Sequence, residues 1–147
     1  MAAWLYADTS VLVQRLVREP GSAAASRATE GAVIVTSALA PVETLSAITA
    51  KHRGGSLRLP AFRAALGRLE VERAKWVLVE VSPGVLLRAW DVVRDLPTRT
   101  LDAIHIASAL FFRDTGGLEM AFLTADQRQR ESATAAGLVA QLLASAP

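Results

Sequence analysis

Short apolar runs of strand length alternate along this chain with longer stretches whose apolar residues recur every three or four positions. The strand-length runs are Trp4–Ala7 (WLYA), Ala32–Thr36 (AVIVT), Trp76–Val81 (WVLVEV), Glu119–Thr124 (EMAFLT) and Leu138–Leu142. Thr9 and Ser10 can cap a helix carrying Val13, Leu16 and Val17, which Glu19-Pro20-Gly21 ends. A weaker helix fits Ser22–Glu30. Further helices fit about Ala38–Arg53 and Pro60–Ala74, with Gly54-Gly55 and Pro60 as punctuation. Pro83-Gly84 opens another to about Asp95, Pro97 separates it from one at Thr100–Arg113, and Gly137 stops the last, Asp126–Ala136.

Strands that alternate with helices need crossover connections, and these favour a parallel sheet covered on both faces. The near-continuous apolar strands agree, because such strands are buried on both sides. The expected fold is α/β, a three-layer α/β/α arrangement with a central parallel sheet of about four or five strands. No repeat, linker or low-complexity tract interrupts the pattern, so 1–147 is expected to be a single domain. In such sheets ligands sit beyond the carboxyl ends of the strands, where the strand order reverses. Chemistry is expected there.

Composition narrows the class. The 147 residues include no cysteine, 52% hydrophobic and 20% charged residues, which excludes a disordered chain, a disulfide scaffold and a thiolate metal site. Mean hydropathy is high at +0.31. The longest charge-free stretch, 132–147, is nevertheless broken by Thr134, Gly137, Gln141 and Ser145, and falls short of the roughly 18 apolar residues a span needs. The start, MAAWLYADTS, has no basic region before its apolar residues, so no signal peptide and a cytoplasmic location are expected. The net charge is +2, with 16 basic against 14 acidic residues. Arg outnumbers Lys heavily, which suits phosphate contacts, but a coding bias that also favours alanine is the reading ahead of it. Charge alone names no partner.

The fourteen acids divide by neighbourhood. Glu19, Asp95, Asp114 and Glu131 each follow an Arg, and Glu70, Glu72 and Asp91 have basic residues at helical contact spacing, so these seven are expected on solvated faces. Glu30 and Glu119 sit beside Gly-containing turns. Glu80 alternates with Val79 and Val81 inside a strand run and is left out of the site. Asp8, Glu43, Asp102 and Asp126 remain, in apolar surroundings. Asp8 and Asp126 stand at strand ends, while Glu43 and Asp102 stand in first helical turns, where the dipole favours an anion. Each acid alone reads as a helix cap or an ion-pair partner. Four at equivalent topological positions, without cysteine, point to a hard divalent cation held by oxygen, Mg²⁺ or Mn²⁺. The apolar helix holding Asp102 is expected to be buried, where an ionised carboxylate needs a compensating cation.

On these residues the sequence resembles the PIN-domain family, and within it the VapC toxins of bacterial toxin–antitoxin pairs. The matching segments are Tyr6-Ala-Asp8-Thr-Ser10, Val42-Glu43, Arg99-Thr-Leu-Asp102-Ala-Ile-His105-Ile-Ala107 and Leu123-Thr124-Ala-Asp126, in the family's order and spanning nearly the whole chain. The resemblance implies a Mg²⁺- or Mn²⁺-dependent endoribonuclease whose cut leaves a 5′-phosphate. It implies Asp8 and Asp102 as main metal ligands, Glu43 and Asp126 completing the acidic pocket, and Ser10 and Thr124 as polar supports. It also implies a cognate VapB-like antitoxin with a segment lying in a groove beside the acids, an RNA substrate and a homodimer. Apolar residues that spread around the helices Ser37–Lys51 and Pro60–Trp76 fit such partners.

Some residues keep two readings. Arg99 can touch RNA phosphate or pair with an acid. His105 reads as a packed, hydrogen-bonded core residue ahead of a general base, and Trp4, Trp76 and Trp90 read as core ahead of base-stacking platforms. A haloacid-dehalogenase-like phosphatase would need a second Asp where Ser10 stands and a pocket Lys; a receiver domain would need an adjacent acidic pair. Both are disfavoured. A PIN-like binding protein with a vestigial nuclease site is the non-enzymatic alternative.

Overall fold

The computed structural model describes residues 2–143, so Met1 and 144–147, the ends of the expected 1–147 unit and the last residues of its charge-free stretch, lie outside the described residues. The first half runs β1 (Trp4–Ala7), α1 (Thr9–Leu16), α2 (Ser22–Thr29), β2 (Val33–Ser37), α3 (Ala40–Arg53), α4 (Leu59–Arg73) and β3 (Val77–Val79). It continues α5 (Pro83–Asp95), α6 (Thr100–Gly116), β4 (Ala121–Thr124), α7 (Gln127–Ala135) and β5 (Val139–Leu142). The five strands form one sheet in the order β3-β2-β1-β4-β5, and every pairing is parallel. The chain builds outward from β1 to β3, then returns to place β4 on the other side of β1. The order therefore reverses between β1 and β4.

Strand periodicity of two makes the sheet two-faced. Leu5, Ala7, Ile34 and Leu123 face a core with Leu12, Leu16, Ile48 and Leu69 from α1, α3 and α4. Tyr6, Val35 and Phe122 face the other core, with Val85, Ile106, Leu110 and Ala133 from α5, α6 and α7. This is the expected three-layer α/β/α fold. Among the described residues no helix is long and apolar enough to cross a membrane.

Element limits differ where pairing decides them. β3 stops at Val79 and not at Val81, because its only neighbour β2 ends at Ser37, the partner of Val79. Glu80 is therefore exposed beyond the strand. β4 begins at Ala121, the partner of Leu5, and not at Glu119. α6 runs on to Gly116, where Gly117 at φ 62° turns left-handed and its N–H closes on Arg113 O. Three of the acids expected on solvated faces bind other elements: Glu72 pairs with Arg15, Glu19 with Lys51 and Asp114 with Arg88. Sequence spacing sees only pairs on one helix, so these were invisible to it.

Candidate active site

Asp8 follows the last residue of the central strand, and the chain turns there into α1. Its backbone N–H still reaches across to Leu123 O (3.2 Å), while its carboxylate caps α1 by accepting from Val11 N (3.4 Å) and from the Ser10 hydroxyl. Asp8 is only 5% exposed, and among the described residues no Arg or Lys pairs with it. Burial therefore pushes its carboxyl above the usual Asp range, with the Ser10 and Thr124 hydroxyls, the nearby His105 and the Val11 N–H pulling the other way.

Ser10 and Thr124 join this strand end to the next. Ser10 Oγ accepts from Ala125 N (2.9 Å) and lies 3.4 Å from Thr124 Oγ1, which itself accepts from Asp126 N (3.1 Å). Asp126 then caps α7, its Oδ1 accepting from Arg128 N (2.8 Å) and Gln129 N (3.4 Å). Gln129 extends this chain of hydrogen bonds to the start of α6, donating from Nε2 to Asp102 O (3.0 Å). Asp102 and Asp126 share a groove of about 480 Å³ with Arg99 and Arg128.

Asp102 is not buried with its helix. Its side chain is 31% exposed at the rim, and Arg99, itself 85% exposed, donates to Oδ2 from 3.2 Å. Of the two readings of Arg99, the structure shows the acid pair. Glu43 stands in the first turn of α3 and accepts from His105 Nε2 at 2.9 Å. His105 is buried and hydrogen-bonded as expected, yet its partner is one of the four acids. Sequence reasoning missed that Tyr6, Thr9 and His105 connect Glu43 to the region of Asp8. Two spacings carried the signal: Tyr6 two residues before Asp8 where the extended backbone leaves β1, and Asp102 with His105 one turn apart on a helix.

The donor set fits a hard divalent cation. It consists of carboxylate and hydroxyl oxygen around a buried acid whose charge no Arg or Lys neutralises, and such a carboxylate is what an Mg²⁺-like ion stabilises. The side chains are arranged short of a coordination cage: among the described residues no three His, Asp or Glu groups converge. Glu43 is turned to His105, Asp102 to Arg99, and Asp126 to the end of α7. A larger hollow of about 650 Å³ lies at the opposite, amino-terminal edge of the sheet, lined by Arg15, Glu72 and the start of β2, away from all four acids.

This geometry sits on a sequence that the PIN domain profile matches over residues 5–134. The chain belongs to the PIN-domain family. Within that family it is 36% identical over 140 residues to Ribonuclease VapC46 of Mycobacterium tuberculosis, covering 94% of this chain and 95% of that protein. Solved structures of lower identity share the PIN fold. A toxin–antitoxin complex from Klebsiella pneumoniae matches with a TM-score of 0.67 at 14% identity, over 96% of this chain and 98% of that one. Mycobacterium tuberculosis VapC20, named a sarcin–ricin loop cleaving toxin, matches with a TM-score of 0.65 at 19% identity, over 92% and 96%. The phosphatase and receiver alternatives fall with this assignment.

The PIN fold also leaves apolar surface uncovered. Val42 and Leu45 of α3 line a groove of about 510 Å³ with Leu66 and Leu69 of α4, on helices where the sequence predicted surplus apolar residues. A second patch was not predicted: Leu86, Leu87, Trp90 and Val93 of α5 are exposed, and Leu86, Trp90 and Val93 line an apolar hollow with Thr100 and Ile104 of α6. Trp90 is 67% exposed and so is not core, whereas Trp76 is buried and Trp4, at 36%, lies between.

Proposed function

We propose that this PIN-domain chain is a divalent-metal-dependent endoribonuclease, the toxin of a type II toxin–antitoxin pair. The observation that carries the reading is Asp8, a buried carboxylate with no Arg or Lys partner among the described residues, at the point where strand order reverses. The likeness to a protein named as a VapC ribonuclease supports the reaction class. Asp8 and Asp102 would be the principal holders of Mg²⁺ or Mn²⁺, with Glu43 and Asp126 beside them. Bound there, such an ion would lower the pKa of a water near the scissile phosphodiester and offset the charge developing on it.

The chain's own groups have separable tasks in this mechanism. Ser10 and Thr124 hold Asp8 and the start of α7 in fixed relation through hydroxyl hydrogen bonds, so the acids need little reordering when substrate arrives. Arg99, 85% exposed at the rim beside Asp102, is placed to meet an RNA phosphate. The four acids offer no positive surface to RNA by themselves, so Arg99 and Arg128 supply it along the groove.

The unit is proposed to span 1–147, to work in the cytoplasm, to pair with a VapB-like antitoxin and to form a homodimer. The exposed apolar surfaces on α3–α4 and on α5 support two such contacts. The deciding experiment is RNA cleavage by the purified chain with Mg²⁺ or Mn²⁺. Cleavage should stop with EDTA, return with excess metal, and fall to background in Asp8→Ala and Asp102→Asn. Binding of RNA without metal-dependent cleavage would instead favour the vestigial-site alternative. Co-expression with the neighbouring reading frame, followed by light scattering, tests the partner and the dimer.

A further inference from the structure

His105 lies one turn beyond Asp102 on α6, is 2% exposed, and ties three other elements together. Its Nδ1 stands 2.8 Å from Tyr6 Oη on β1. Its Nε2 stands 2.9 Å from Glu43 Oε1 on α3 and 3.2 Å from Thr9 Oγ1 at the start of α1. Tyr6 is fully buried, with its ring stacked on Phe122 at 5.2 Å and edge-on to His105 at 5.9 Å. A phenol is an O–H donor, and the only ring atom of His105 within its reach is Nδ1, so Oη donates to Nδ1. With Nδ1 accepting, the ring proton belongs on Nε2 and faces Glu43.

Glu43 thus accepts from a donor that cannot swing away. The imidazole is fixed at one end by a phenol locked in the core and is walled in by the α6 packing. Glu43 itself is a long, flexible side chain, 20% exposed, in the first turn of a helix. Oε1 is taken by His105, and Oε2 has no hydrogen-bond partner among the described residues.

We propose that His105 is a positioning residue: with Tyr6 setting its tautomer, it anchors Oε1 of Glu43 so that Oε2 is the oxygen offered to a divalent cation. The role rests on the metal-dependent reading above. It also gives a task to a histidine and a tyrosine that are both buried next to the acids. Groups that orient a ligand in this way change metal affinity by about 10–100-fold when removed.

The test is Mn²⁺ binding by the full chain, measured by titration calorimetry and by the electron paramagnetic resonance of free Mn²⁺. Glu43→Gln and His105→Ala should each weaken binding about 10-fold, and the double variant should be no weaker than Glu43→Gln alone, because both remove one arrangement. His105→Gln, which keeps an N–H near the Nε2 position, should recover most of the affinity, and Tyr6→Phe should lose part of it. Nitrogen-15 NMR of His105 should show the proton on Nε2 in the wild type and a mixed tautomer in Tyr6→Phe. Variants are compared only where circular dichroism matches the wild type, so His105→Gln and Tyr6→Phe carry the test if His105→Ala does not fold. Wild-type affinity in the His105 and Tyr6 variants, or additive losses in the double variant, would overturn the positioning role alone. A wild type that binds no Mn²⁺ removes the metal reading and this role with it.

Discussion

Ser10→Ala is the sharpest probe of how the site is held, because one hydroxyl joins two strand ends. The change deletes the Oγ–H donated to Asp8 Oδ1 and the acceptor for Ala125 N at 2.9 Å. A hydrogen bond to a charged, buried group is worth about 1.5–3 kcal/mol, and an orphaned N–H costs about 1–3 kcal/mol. Ser10 and Ala125 are half-buried, so water relieves part of each loss and the lower values apply. Alanine returns up to about 0.5 kcal/mol of helix propensity near the start of α1. The net loss should be about 2 kcal/mol, or a fall in Tm of about 6 °C for a chain of this size.

The pH dependence identifies the cause. Asp8 has a folded pKa raised by burial, so its own ionisation lowers stability as pH rises from the unfolded value through the folded one. Ser10 opposes that by favouring the ionised form. Its contribution is therefore greatest above the folded pKa of Asp8 and shrinks as pH falls through it, where the bond becomes a neutral one worth about 1 kcal/mol. Urea denaturation in EDTA, followed by circular dichroism over the whole pH range in which the chain folds, measures both terms. In the Asp8→Asn background the pH dependence of the Ser10 effect should vanish. A loss below about 0.5 kcal/mol, or one that is flat with pH in both backgrounds, would refute this account.

Asp8→Asn in the metal-free chain should raise stability at pH 8 and leave it nearly unchanged at acid pH. It should also abolish the Mn²⁺-dependent gain, which for the wild type is about 2.7 kcal/mol at one hundred times Kd; thermal melts with and without Mn²⁺ report both. Gly84→Ala should destabilise by about 1 kcal/mol despite improved helix propensity, because a Cβ there would lie 2.9 Å from the Phe111 ring where α5 meets α6. Gly67→Ala in α4, whose Cβ would meet nothing within 4 Å, should instead stabilise by about 0.5–1 kcal/mol, and a pair of melting curves compares them.

Local physics made much of this protein legible before its tertiary structure. Strand and helix periods differ, so the five strands and most helices were visible as patterns, and alternation forced parallel pairing with chemistry at the carboxyl edge. Asp8 and Asp126 were legible as acids at strand ends, and the structure finds both capping the helix that follows; the caps expected for α1, Thr9 and Ser10, are instead its first two residues, because Asp8 is the residue that leaves the strand with extended backbone. Other features depend on which surfaces meet, and no local pattern holds that information. β3 ends where its neighbour ends. In α5 the stripe Val85–Ala89–Val92 and the stripe Leu86–Trp90–Val93 are both apolar and helically spaced; only packing shows that the smaller one lies inward, beside the close contact of Gly84 with Phe111. Trp90, which reads as core in the sequence, lies on the outward stripe. His105 and Glu43 are 62 positions apart, and their contact exists because α3 and α6 are brought to the same edge of one sheet. Sequence spacing reports neighbours within an element, whereas a site assembled from four elements is decided by the packing that joins them.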